Sequence, residues 1–181
     1  MKKRFIAVMT LIVSAAFFFG CGSSTGDTKV IEGQQGAVTS ADGEAAEAVK
    51  GYAFTAEGLT MAVDTDASAY IDALPEADSY YESPSCAAEG IGKLYSYKDF
   101  DIQTYPEGDR DLVLYIRLKT DNVATEEGID LSKTKDDIKA AYGDPSEESD
   151  SSLTYEKDGM SLIFLFDGEN MISIEYDSPK A

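Results

Sequence analysis

The sequence predicts an α+β fold: a tandem repeat of a short helix plus a three-stranded antiparallel meander, with the helices packed on one side of an antiparallel sheet. Three observations predict it. Apolar residues alternate along most of residues 51–177; two short helical patterns each leave through a proline, Pro75 and Pro145; and the two halves share their apolar pattern at a constant offset of 60 residues. About 127 residues are enough for one ordinary domain.

The elements follow in chain order. Lys2, Lys3 and Arg4 form a positive start, an uncharged run extends from Phe5 to Phe19, and Gly20 precedes Cys21. That order is a secretory signal, expected over residues 1–20. Its 15 uncharged residues, as a helix, fall short of a hydrocarbon core of roughly 30 Å. Gly20-Cys21 resembles the processing site of bacterial lipoproteins. The resemblance implies that Cys21 becomes a lipidated N-terminus, carrying palmitate-class chains that hold the protein outside the cell membrane. Each buried CH₂ of such chains contributes ~0.8 kcal/mol to anchoring. Residues 21–50 then read as lipidated cysteine and disordered acidic linker, because Gly, Ser, Thr, Ala, Asp and Glu bury too little to offset ordering.

The single domain is expected over 51–177. Tyr52, Phe54, Leu59, Met61 and Val63 alternate around Glu57-Gly58, a hairpin pattern. Thr65 or Asp66 caps a short helix whose Tyr70, Ile71 and Leu74 share a face, and Pro75 stops it. Residues 76–93 read as irregular. Strands follow over Leu94–Tyr97, around Phe100, Ile102 and Thr104, and over Leu112–Leu118, the last two joined by a turn on Pro106 and Gly108. After a loop from Thr120 to Leu131, Ser132 or Thr134 caps a second helix. Asp136 and Asp137 sit in its first turn, Ile138, Ala141 and Tyr142 form its apolar face, and Gly143 with Pro145 ends it. Three closing strands cover Leu153–Lys157, Met160–Phe166 and Met171–Tyr176, and Asp158-Gly159 is a strong two-residue hairpin signal.

At the 60-residue offset Phe100 falls on Met160, Ile102 on Leu162, Gly108 on Gly168, and Leu114 on Ile174. This gives repeats at about 66–118 and 132–176. One helix on three strands buries too little to stand alone, so two copies sharing a core are expected. The unit Ala140-Ala141-Tyr142-Gly143-Asp144-Pro145, Tyr155, Leu162-Ile163-Phe164-Leu165-Phe166 and Met171-Ile172-Ser173-Ile174 resembles the repeat of β-lactamase-inhibitor-protein-like and small outer-membrane assembly lipoproteins. Over much of the domain the chain also resembles uncharacterised lipoproteins of Gram-positive gut bacteria. These resemblances imply sheet-on-helix modules that bind other proteins, and they carry over scaffold positions only.

Charge and missing residue types exclude several functions. The chain carries 34 acids against 15 bases, a net charge of −19, and three of the bases lie in the signal. Such a field repels nucleic acid and anionic lipid, opposes self-association and favours cationic partners. A monomer is expected, meeting the membrane only through its anchor. With no histidine, His-containing triads and imidazole zinc ligands are impossible. Ser132 to Lys135 formally matches a serine-acylase motif but sits where a helix cap belongs. No enzyme and no cofactor are expected. Cys86 has no partner if Cys21 is acylated, and reads as a buried or half-buried thiol.

Two candidate surfaces remain. Among eleven tyrosines, Tyr80, Tyr81 and Tyr105 fit a binding surface for a protein or peptide at the cell surface, because tyrosine joins apolar area to a polar tip. Asp167, Glu169 and Asn170 crowd three oxygen-bearing side chains into one turn. That suits a weak site for a divalent cation or a small cationic solute.

Overall fold

The computed structural model describes residues 49–181. The signal, Cys21 and nearly all of the linker lie outside the described residues. The fold is mostly β. A hairpin of β1 (Phe54–Ala56) and β2 (Leu59–Met61) leads to α1 (Ser68–Ala73). Four strands follow: β3 (Ser79–Pro84), β4 (Ile91–Ser96), β5 (Phe100–Glu107) and β6 (Arg110–Leu118). Then come α2 (Lys135–Tyr142), β7 (Glu147–Glu148), β8 (Ser152–Lys157), β9 (Met160–Asp167) and β10 (Asn170–Asp177). The strands β3 to β10 form one antiparallel sheet in the order β3-β4-β5-β6-β10-β9-β8-β7.

This corrects the expected fold class, since the chain is not a repeat of helix plus three-stranded meander. The stretch at 76–93 read as irregular supplies β3 and the start of β4, and the acidic pair Glu147-Glu148 adds β7. The strands also zip into a single sheet, with Ile174 opposite Leu118 and Tyr176 opposite Ile116 across β6 and β10. The 60-residue offset lays β5 on β9 and β6 on β10, so it registers strands within one sheet. Helices of six and eight residues cannot cover eight strands. The β1–β2 hairpin, outside the expected units, lies in the middle of the core: Phe54 and Met61 are fully buried against Ile102, Ile116, Leu118, Leu162, Phe164 and Ile174. Each such side chain contributes about 1.5–3 kcal/mol by leaving water.

Local signals explain the elements. Glu57-Gly58 and Asp158-Gly159 both take positive φ at each residue, as tight hairpin turns of this hand require. Thr134 caps α2 through a reciprocal box: its hydroxyl accepts from the Asp137 N–H, and the Asp137 carboxylate accepts from the Thr134 N–H. The first helix lacks a side-chain cap of this kind. Asp66 instead accepts from the Ser68 N–H at 2.9 Å, and α1 is held by the burial of Tyr70.

Two irregularities shape the opposite face of the sheet. Gln103 pairs with Tyr115 but Thr104 with Val113, so Leu114 is an extra residue in β6. It reverses the alternation of β6 and brings Leu112 beside Tyr105; with Leu114 they form a second small core, closed by Ala87 and Ala88. Where β10 leaves β6, the segment 64–67 takes its place: the Asp64 N–H donates to the Val113 carbonyl at 2.8 Å and the Val113 N–H to that of Thr65 at 2.9 Å. Buried Val49 and Ser178 show that packing begins and ends slightly outside 51–177. No helix of the described residues is long and apolar enough to cross a membrane.

Candidate binding surface

One edge of the sheet, β3, is exposed along nearly its whole length. Only Ser83 of its six residues is even half-buried. Tyr80 and Tyr81 are 50% and 66% exposed, and Tyr81 is the most exposed of the big apolar side chains among the described residues. They point to opposite faces, because neighbours in a strand alternate. Tyr80 lies over Tyr95, ring centres 5.0 Å apart, and donates its hydroxyl to the Glu82 carboxylate two residues on. That bond holds the Tyr80 hydroxyl in its protonated form and raises its pKa. Tyr81 lies beside Leu94 on the face away from the helices.

The phase of the β3–β4 ladder follows from its continuation. The Ser85 N–H donates to the Gly90 carbonyl at 2.9 Å, so the pair 85/90 is hydrogen-bonded. In an antiparallel ladder such pairs alternate, which makes Ser83 and Tyr81 partners of β4. Tyr80 and Glu82 therefore aim their N–H and C=O groups outward, away from the sheet. Pro84, the next outward position, has no N–H to offer. A proline is tolerated in an edge strand on that side alone.

The sheet face beside Tyr81 is polar and ordered. Asp101, Arg117 and Glu175 lie directly opposite one another on three adjacent strands, with Arg117 Nε on Glu175 Oε1 at 2.7 Å and Lys119 Nζ on Asp101 Oδ1 at 2.7 Å. The Arg117 guanidinium covers the Tyr115 ring at 4.9 Å. Asp177, beside Tyr115, has a buried Oδ1 without a hydrogen-bond partner. Burial, then the neighbouring Glu175 charge, pushes its pKa up to about 6 against the pull of Arg117.

The expected tyrosine surface does not form as a unit. Tyr105 is 1% exposed, because the extra residue in β6 folds it into the second small core. Its hydroxyl donates to Asp64 Oδ1 at 2.9 Å, which also accepts from the Ser178 hydroxyl at 2.7 Å, while Lys180 reaches the Tyr105 oxygen at 3.2 Å. This group fastens the C-terminal tail, and no sequence pattern announced it. Cys86 is exposed, contrary to the expected buried or half-buried thiol, because it lies in the loop joining β3 and β4. Asp167, Glu169 and Asn170 sit at the exposed β9–β10 turn, with Asn170 paired to Asp167 as the first rung of the hairpin. Among the described residues no group of three or more Asp, Glu or Cys side chains is placed to hold a metal ion.

An open cleft of about 510 Å³ lies between Lys50, Asp64, Thr65, Asp158, Met160 and Pro179. Its acids are engaged structurally: Asp64 binds Tyr105 and Ser178, and Asp158 accepts from the Gly51 N–H at 3.1 Å. No family model, curated protein or solved structure matches the chain.

Proposed function

We propose that this is a non-catalytic module, held outside the cell by a lipid on Cys21, that binds a protein or peptide through β3 and the sheet face beside it. The observation that carries the reading is the pair Tyr80 and Tyr81, half to two-thirds exposed on an edge strand whose outward backbone is unpaired among the described residues. Proteins ordinarily blunt such edges, because an open edge with apolar side chains captures other chains. An edge left open with two aromatic rings on it fits recognition. The lack of histidine and the structural engagement of the cleft carboxylates support a role without catalysis.

Photo-crosslinking on intact cells tests the reading. A benzoylphenylalanine at position 81 of the full chain is expected to give a discrete protein adduct, and one at position 147 on the other edge is expected to give none. Adducts at neither position, or equally at both, would contradict it.

A further inference from the structure

From the edge of β3, free among the described residues, we infer the mode and the chemistry of the partner: an extended, basic peptide segment that adds to the sheet as a ninth strand. The inference rests on the binding-module reading and specifies it. Backbone pairing is available over a short stretch. Tyr80 and Glu82 present N–H and C=O outward, and Pro84 presents only its carbonyl, so the run of donors stops there. A strand docked on these groups gains main-chain hydrogen bonds, and its alternate side chains are read by whatever flanks the edge.

Those flanking groups are aromatic and acidic. Tyr80 and Glu82 line one face and Tyr81 the other, so an added strand meets a ring on each side. Glu76 and Asp78 are exposed on the approach to β3. The cross-strand neighbour of Glu82 is Lys93, whose ammonium is held by Asp111 at 2.6 Å. The edge therefore presents carboxylates with no lysine or arginine in β3 itself, within a chain of net charge −19. Charge complementarity selects a Lys- or Arg-bearing strand and disfavours a second copy of this chain, which would bring Glu82 and the same net charge against itself.

The probe is a capped eight-residue peptide alternating Lys with Val or Tyr, titrated into the full chain and read by tyrosine fluorescence or calorimetry. A matched peptide, N-methylated on every second residue, keeps the charges and side chains but cannot complete the ladder. The expected results are binding of the first peptide, at least tenfold weaker binding of the second, and a similar loss in Glu82→Pro, which removes an outward N–H and no bond to β4. Glu82→Gln, with its backbone intact, is expected to lose only a few-fold, and added salt to weaken binding. Equal binding of the two peptides, or unchanged binding by a folded Glu82→Pro protein, would overturn strand addition. Protein that self-associates through β3 without peptide would overturn it too, by showing the edge already filled. If position 81 still crosslinks a cell-surface partner while neither peptide binds, the module reading stands and this inference falls; if neither occurs, both fall.

Discussion

The two edges of the sheet have been treated differently. At one end β7 is two residues long, both glutamates, and the second helix reaches over to it: Lys139 binds Glu148 at 2.7 Å, and Lys135 donates to the carbonyls of Ser149 and Asp150 at 3.2 and 2.8 Å. At the other end β3 is six residues long and carries two exposed tyrosines, and α1 has no basic residue to reach it. Brevity, charge and side-chain cover are the usual means of closing an edge. The molecule applies all three to β7 and leaves β3 with one glutamate, Glu82, and a terminal proline. The difference favours the proposed reading, in which β3 is the recognition edge, since cover of the same kind was attainable within the same fold.

The comparison predicts a gradient from the sheet centre to its edges. Phe164, fully buried between β8 and β10 and packed on Tyr142 and Tyr155, marks the centre. Phe164→Ala is expected to cost about 3–5 kcal/mol in urea unfolding. Along β3 the effect should depend on parity. Tyr81→Pro deletes a ladder donor, leaves a β4 carbonyl short and is expected to cost about 1–3 kcal/mol, whereas Glu82→Pro should stay within about 0.5 kcal/mol. Equal losses would refute the assigned phase.

Asp177 lies on the β6–β10 seam and gives a pH test. Its folded-state pKa of about 6 exceeds its ordinary 3.8, so the folded protein holds a proton that the unfolded chain releases between those values. Its contribution is therefore favourable at low pH and is lost as pH rises from about 4 to 6. Asp177→Asn is expected to stabilise the fold at pH 7 by about 1–2 kcal/mol, allowing for solvent screening at a half-buried site, and to change little at pH 4. Melting temperatures at the two pH values decide this. The smallest effect belongs to the covered edge: Lys139→Ala should cost no more than about 0.5 kcal/mol, because its ion pair is exposed.

What was legible in the sequence follows the same gradient. Strands β5, β6, β8, β9 and β10 bury one face, so their apolar residues alternate visibly, and Asp158-Gly159 and Thr134 mark their turn and cap by local chemistry. An edge strand with neither face buried has no such period. Ser79 to Pro84 therefore reads as loop, and the candidate surface lies where periodicity is silent. Tyrosine worsens the ambiguity, because its ring suits a core and its hydroxyl suits a surface. Tyr81 and Tyr105 look alike in sequence, yet an inserted residue in the neighbouring strand buries the latter. The count of strands, and with it the fold class, failed for the same reason: β3 and β7 carry no apolar signal.

Amide hydrogen exchange of the unliganded full chain, resolved by residue, tests the open edge most directly. Tyr81 and Ser83 should be protected by β4 while Tyr80 and Glu82 exchange at nearly the rate of free chain, an alternation absent from the central strand β9. Uniform protection along β3 would mean that its outer groups already have partners, and the edge would not be free to recognise anything.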